Sequence, residues 1–275
     1  METALFAGPV LLPLAYLLVA IDYGFLFFTG HEFPRRTASP ALRVTLALHA
    51  VWLVLVAVRY QQLPAATLAQ ALSVVGLAVA AVYAFVEWHG RESSTGLWMV
   101  SLVFLFQLLS SLLIRPEPPA HRELFEDPLF AAHVSLALLG YAAFAVAAAY
   151  GFLFLVLYRE LKVGTFALFY GKLPPLQVLE RMMTGALAAG FAALTGASIF
   201  GSVWAQKLYG DAWLNDPKIL LTFVTWALYG TALLLRRLRR WQGPQTAIAS
   251  LAGLGTILFS LVAVNLFLTD FHGFR

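Results

Sequence analysis

The chain has 275 residues, 61% of them hydrophobic and only 12% charged, with a mean hydropathy of +0.80, a net charge of +4 and no cysteine. A soluble domain carries about twice that share of charge, so a soluble fold is excluded, as are disulfides, thiolate metal sites and any thiol relay within the chain. The basic excess is spread along the chain instead of forming one exposed patch, which excludes a nucleic-acid partner.

Crossing a hydrocarbon core about 30 Å thick takes about 20 apolar residues in a helix, because the bilayer offers no partner to an unpaired backbone N–H or C=O. Runs of that kind lie near residues 7–29, 41–59, 66–86, 95–114, 130–157, 182–203, 219–238 and 246–268. They predict an all-α, polytopic membrane bundle of eight transmembrane helices. The longest connections, 115–129 and 158–181, are too short to fold alone, so residues 1–275 are expected to form one membrane domain. No basic residue precedes the first helix and no small-x-small site follows a short apolar core, so this helix is not expected to be a cleaved signal.

Lysine and arginine are retained on the cytoplasmic side of a membrane. Placing the loops after helices 1, 3, 5 and 7 inside gathers Arg35, Arg36, Arg43, Arg91, Arg159, Lys162, Lys172, Arg181, Arg236, Arg237, Arg239 and Arg240 there. The opposite side keeps only Arg59, Arg115, Arg122, Lys207, Lys218 and Arg275. Both termini are therefore expected to face outward.

Three segments break the alternation of helix and short loop. Residues 115–128 are proline-rich and acidic, suited to a short external loop. Residues 161–182 are basic and amphipathic, and are expected to lie along the inner membrane surface. The external stretch 203–218, VWAQKLYGDAWLNDPK, combines Trp204, Tyr209 and Trp213 with Asp211, Asn215, Asp216 and two lysines. Rings with polar edges favour the interface, so an aromatic belt is one reading. The density of aromatics beside Gly210 and Asp216-Pro217, both turn-forming, supports another: a shaped platform for a flat ligand.

This topology also sorts the six histidines. His133 falls at the outer mouth of helix 5 and His272 just beyond the outer end of helix 8, both flanking the surface that carries the tryptophans. Imidazole is a common axial ligand of heme iron, and two facing histidines complete a six-coordinate site. Each alone reads more readily as an interfacial residue than as a ligand; their joint placement with the aromatics brings the two readings level. His49, inside helix 2, is a weaker candidate. An ionisable group within the span is a functional candidate by default, although a neutral imidazole bonded to a neighbouring helix is the commoner outcome. His31, His89 and His121 fall in loops and are expected to be solvated, and Asp22 and Glu87 sit near the inner interface. A bis-histidine cytochrome of the helical-bundle kind would need paired histidines within the span. Phosphate-cradling loops, metalloprotease helices, Gly-x-Ser-x-Gly elbows and symmetric broken helices are all missing from the sequence.

The segment YGDAWLNDPKI at 209–219 resembles the tryptophan-rich signature Trp-Gly-x-Tyr-Trp-x-Trp-Asp-Pro-Lys-Glu of the cytochrome c assembly family, which includes CcsA, CcmC and the HemX-like proteins. Gly210, Trp213, Asp216, Pro217 and Lys218 match, whereas Tyr209, Ala212, Asn215 and Ile219 depart from it. GSVWA (201–205), TFVTWALYG (222–230) and KLPPLQVLERM (172–182) resemble its surroundings. The helix opening at His133 and the tail NLFLTDFHGF (265–274) resemble the segments that bear the family's two external histidines. The likeness covers residues 130–275 as an assembly-like core, with 1–114 a divergent four-helix part.

The resemblance implies a multi-pass protein of a bacterial-type inner membrane that presents heme at the outer face. It makes His133 and His272 the axial ligands of a transiently bound heme b, and Trp204 and Trp213 the platform. Asp216 and Lys218 would lie beside the cofactor, with Lys218 or Arg275 pairing with its propionates. The implied partners besides heme and lipid are an apocytochrome c or a second assembly subunit; covalent attachment needs the client's thiols, so the chain is not expected to be an enzyme alone. Heme-exporting synthases of the family place a further histidine where Leu234 stands here, so the resemblance does not extend to an intramembrane relay. The alternative is a HemX-like membrane regulator of tetrapyrrole biosynthesis that meets a cytoplasmic partner through 158–181, and a heme-free transporter or scaffold is a third reading.

Overall fold

The structure, a computed structural model, describes residues 2–90, 93–114, 126–165, 168–215 and 217–260. Among these, eight α-helices and one 3-10 helix follow one another without a strand: α1 (Glu2–Thr29), α2 (Glu32–Tyr60), α3 (Leu68–Gly90), α4 (Gly96–Leu112), α5 (Pro128–Val163), α6 (Leu176–Tyr209), the 3-10 turn Gly210–Asn215, α7 (Pro217–Arg237) and α8 (Gly243–Phe259). Six of them are long and apolar enough to cross a bilayer, and α4 is a shorter apolar helix. The protein is a multi-pass membrane protein, and the eight expected helices are present.

The helices run past the ends marked by hydropathy. Residues 32–40 join α2 although EFPRRTASP is polar: Pro34 occupies the first turn, where its missing N–H costs nothing, and Pro40 is carried inside the helix. α5 has 36 residues, about 54 Å at 1.5 Å per residue, and so projects beyond the hydrocarbon core. Much of the segment expected to lie flat along the membrane is consumed in this way: 161–163 finish α5 and 176–182 open α6. Between them the Glu160 carboxylate accepts the backbone N–H groups of Leu168, Phe169 and Tyr170, at 2.9–3.2 Å, and holds the connection over the end of α5. Hydropathy reports depth in the bilayer, whereas a helix ends only where its caps are satisfied.

The chain divides into two compact units, residues 1–125 with 172–174, and residues 126–171 with 175–275. In the first, α1 and α3 both pack on α4, and α2 packs on α1 and α3. Gly96 makes room for two tyrosines, Tyr23 and Tyr83, whose rings meet edge to face at 5.8 Å. In the second, α5 and α6 pair antiparallel along their length, and α8 lies against α5 and α7. A Cβ at Gly140 would sit 3.4 Å from the Gly190 carbonyl, and Phe144 fills the notch at Gly190. Phe144 stacks on Tyr229 at 3.9 Å, and Tyr229 in turn lies in the notch at Gly253. Lipid is as apolar as leucine, so helices in a membrane associate through such close fits, which small residues permit.

Candidate functional site

The site is built where α5 begins and α6 ends. Asp127 caps α5 by accepting the Leu129 N–H at 2.8 Å, and Pro128 supplies the first helical φ without a donor to satisfy. This sharp start sets Phe130 and His133 one turn apart on one face. The facing stretch of α6 offers Ala197, Gly201 and Trp204, spaced four and three residues apart and so on one face of that helix.

The two faces meet at His133. Its Nδ1–H donates to the Ala197 carbonyl at 2.7 Å, since a carbonyl oxygen can only accept. Gly201 lies under the same ring, close enough that any Cβ there would strike it. Phe130 bridges to the tryptophan, its ring 6.4 Å from that of His133 and 4.6 Å from that of Trp204. His133 is half-buried and Trp204 is buried, only 9% exposed. A backbone carbonyl that accepts from Nδ1–H fixes an imidazole's tautomer and orientation and raises its basicity, as it does for metal-binding histidines.

Gly210 ends α6 with φ +56°, and its N–H returns to the Gln206 carbonyl. A residue with a Cβ adopts that conformation only under strain, so glycine is what allows the chain to turn into the 3-10 helix. Trp213 on that turn donates its Nε1–H to Gln206 Oε1 at 2.8 Å and remains half-buried. The structure therefore gathers His133, Phe130 and Trp204 into one cluster and ties Trp213 to the last turns of α6 through Gln206. Lys218 stands in the first turn of α7. Asp216 and His272 lie outside the described residues.

His49 occupies a different setting in the first unit. It is fully buried, and one residue from each of four helices joins its chain of hydrogen bonds. Ser73 Oγ donates to Gln107 Oε1 at 2.9 Å, so it accepts from His49 Nε2–H at 2.8 Å, and His49 Nδ1 in turn accepts the Tyr16 hydroxyl at 3.0 Å. Both ring nitrogens are thus committed, which suits a neutral imidazole joining four helices. Leu234, on α7, is 56% exposed, so its side chain faces outward from the helices of its own unit.

Phe130, Ala197 and Gly201 belong to the site and were not singled out by sequence. The signals were weak but present: Phe130 precedes His133 by one turn, and Gly201 precedes Trp204 by one turn. Ala197 carries no side-chain signal at all, because its contribution is a backbone carbonyl.

The family model of the cytochrome c assembly proteins matches residues 38–272, so it takes in most of the first unit as well as the second. CcsA, the cytochrome c biogenesis protein, is similar in several organisms. That of Heterosigma akashiwo is 23% identical over 254 residues, covering 78% of this chain and 77% of the relative. That of Prochlorococcus marinus strain NATL1A is 34% identical over 96 residues, 35% of this chain and 30% of the relative. That of Chlamydomonas reinhardtii is 29% identical over 142 residues, 52% and 39% respectively. The stronger local matches thus span under half of those relatives' lengths. With the model matched across both helical units and around the tryptophan segment, the chain belongs to the cytochrome c assembly protein family.

Proposed function

We propose that this protein binds heme at the outer face of a bacterial-type inner membrane and presents it for cytochrome c assembly, with His133 as one axial ligand and His272 as the other. The observation that carries this reading is the Nδ1–H bond from His133 to Ala197, which fixes the tautomer and orientation of the ring beside an aromatic wall of Phe130 and Trp204. This donor set fits heme: a neutral imidazole is a normal axial ligand, and apolar rings around it exclude water and tune the iron. Family membership supports the same chemistry. When bound, heme supplies the iron and the vinyl groups to which a client's thiols can be joined.

The chain's own residues do the positioning in this proposal. Ala197 and Gly201 hold the His133 ring, Trp213 forms an outer wall beside the exit of α6, Asp216 belongs to the same heme-binding segment, and Lys218 or Arg275 pairs with a propionate. The chain contains no cysteine, so the thiols come from an apocytochrome c, and a second assembly subunit brings the two together.

Visible spectra of the purified protein test this. Wild type is expected to show a heme Soret band that is lost or strongly reduced in both His133→Ala and His272→Ala. His133→Met is expected to keep heme with a shifted band, because a thioether replaces an imidazole on the iron. Equal heme content and identical bands in all four proteins would remove the ligand assignment, and a heme-free wild type would remove the whole reading.

A further inference from the structure

The first unit has a pocket that the heme reading does not use. It has a volume of about 550 Å³ and lies where α1 ends, α2 begins and α3 ends, lined by Leu26, Arg35, Ser39, Arg43, Glu87 and Ser93 among others. Sites for small molecules span about 300–1,000 Å³, so this one is large enough for a headgroup.

The charges at this end are unevenly committed. Tyr23 donates its hydroxyl to Glu87, 2.8 and 2.9 Å from its two oxygens, and Thr37 donates to Asp22 at 2.6 Å. Arg36 is taken by Glu32 at 3.2 Å. Arg35 and Arg43 make no side-chain hydrogen bond or ion pair among the described residues, yet both line the pocket. Asp22 and Glu87 are thus engaged by hydroxyls, while the guanidinium groups of Arg35 and Arg43 border an open space.

The surroundings indicate the depth. Trp88, also lining the pocket, is 66% exposed, and Phe28 and Phe33 at the same end are 54% and 73% exposed. Exposed aromatics at the end of an apolar helix mark the headgroup level of a bilayer. A basic pocket between helices at that depth meets phosphate with the two guanidiniums and acyl chain with the exposed rings.

We propose that this pocket is a binding site for an anionic phospholipid, its phosphate held by Arg35 and Arg43. The site is independent of His133 and of the heme reading.

Native mass spectrometry of the full chain, with equal phosphatidylglycerol and phosphatidylcholine added in detergent, tests it. Wild type is expected to retain phosphatidylglycerol in preference. Each of Arg35→Gln and Arg43→Gln should weaken retention about fivefold, and the pair about thirtyfold. Arg36→Gln, outside the pocket, should leave it unchanged, and Arg35→Lys with Arg43→Lys should restore much of it because a point charge still meets phosphate. Unchanged melting of the glutamine variants in phosphatidylcholine micelles shows that they are folded. Equal retention of the two lipids, or a loss in Arg36→Gln as large as in Arg43→Gln, overturns the proposal. So does hemin, if it displaces the lipid with a visible-band shift that the two glutamine substitutions abolish, since that would assign the guanidiniums to porphyrin carboxylates.

Discussion

His133 and His49 differ in the groups that hold their rings. His133 donates Nδ1–H to a backbone carbonyl, while both nitrogens of His49 bond hydroxyls. Gly201 is the residue on which the first arrangement depends, because there is no space between its Cα and the imidazole. Gly201→Val is therefore expected to push the ring off Ala197, lower bound heme in the visible spectrum and cost about 1–3 kcal/mol of stability by overpacking. Wild-type heme content and band position in this variant would show that the ring's seat is irrelevant to heme. At the other histidine, Tyr16→Phe removes the donor to Nδ1 and should cost about 0.6–2 kcal/mol in a melting experiment, the range for interhelical hydrogen bonds in membranes. Its heme spectrum should match wild type; a shifted band would bring His49 into the heme site. Sequence identified both histidines as candidates, but a count of histidines and a hydropathy profile cannot say which nitrogen is engaged, since that depends on a carbonyl 64 residues away.

At the scale of elements, close approach through small residues takes the place of hydrophobic driving force. Gly190 accommodates Phe144, Gly253 accommodates Tyr229, and the two rings stack, so α5, α6, α7 and α8 are joined through one aromatic pair. Trp226 adds a polar tie, donating Nε1–H to Thr195 at 2.9 Å while stacking on Phe191. Gly253→Leu should displace Tyr229 and destabilise the second unit by about 1–3 kcal/mol. Gly255→Leu, two residues on with open space around its Cα, should melt within about 0.5 kcal/mol of wild type. Comparable losses in the two variants would mean that α8 tolerates no bulk anywhere, and that the notch at Tyr229 has no special weight. The order and number of helices were legible because each carries its own apolar run. The length of α5 and α6 was not, since polar residues at the interface continue a helix as readily as apolar ones once its hydrogen bonds are made.

For the whole molecule, charge tells one membrane face from the other. The distribution of lysine and arginine argues for outward termini, which would put the His133 cluster and the Trp213 turn outside. Absence of cysteine makes this easy to check, since each introduced thiol is the only one. Lys207→Cys should react with a membrane-impermeant maleimide in intact cells, and Gln242→Cys, in the exposed link before α8, only after permeabilisation. The reverse pattern would move the heme site to the inner face and end its role in presenting heme to an external client.

Sequence alone determined that this chain lives in a membrane, that eight helices cross or enter it, and which family its tryptophan-rich segment resembles. Each of those properties is local, the sum of transfer free energies over one apolar run or the identity of a few adjacent residues. Only the tertiary structure decided that His133 meets Ala197 and Gly201, that Trp204 turns inward against Phe130 while Trp213 is held by Gln206, and that His49 is enclosed by Tyr16 and Ser73. Those contacts depend on the register in which one helix lies against the next, and a shift of a single turn, invisible in any hydropathy profile, would have given every one of these side chains a different partner.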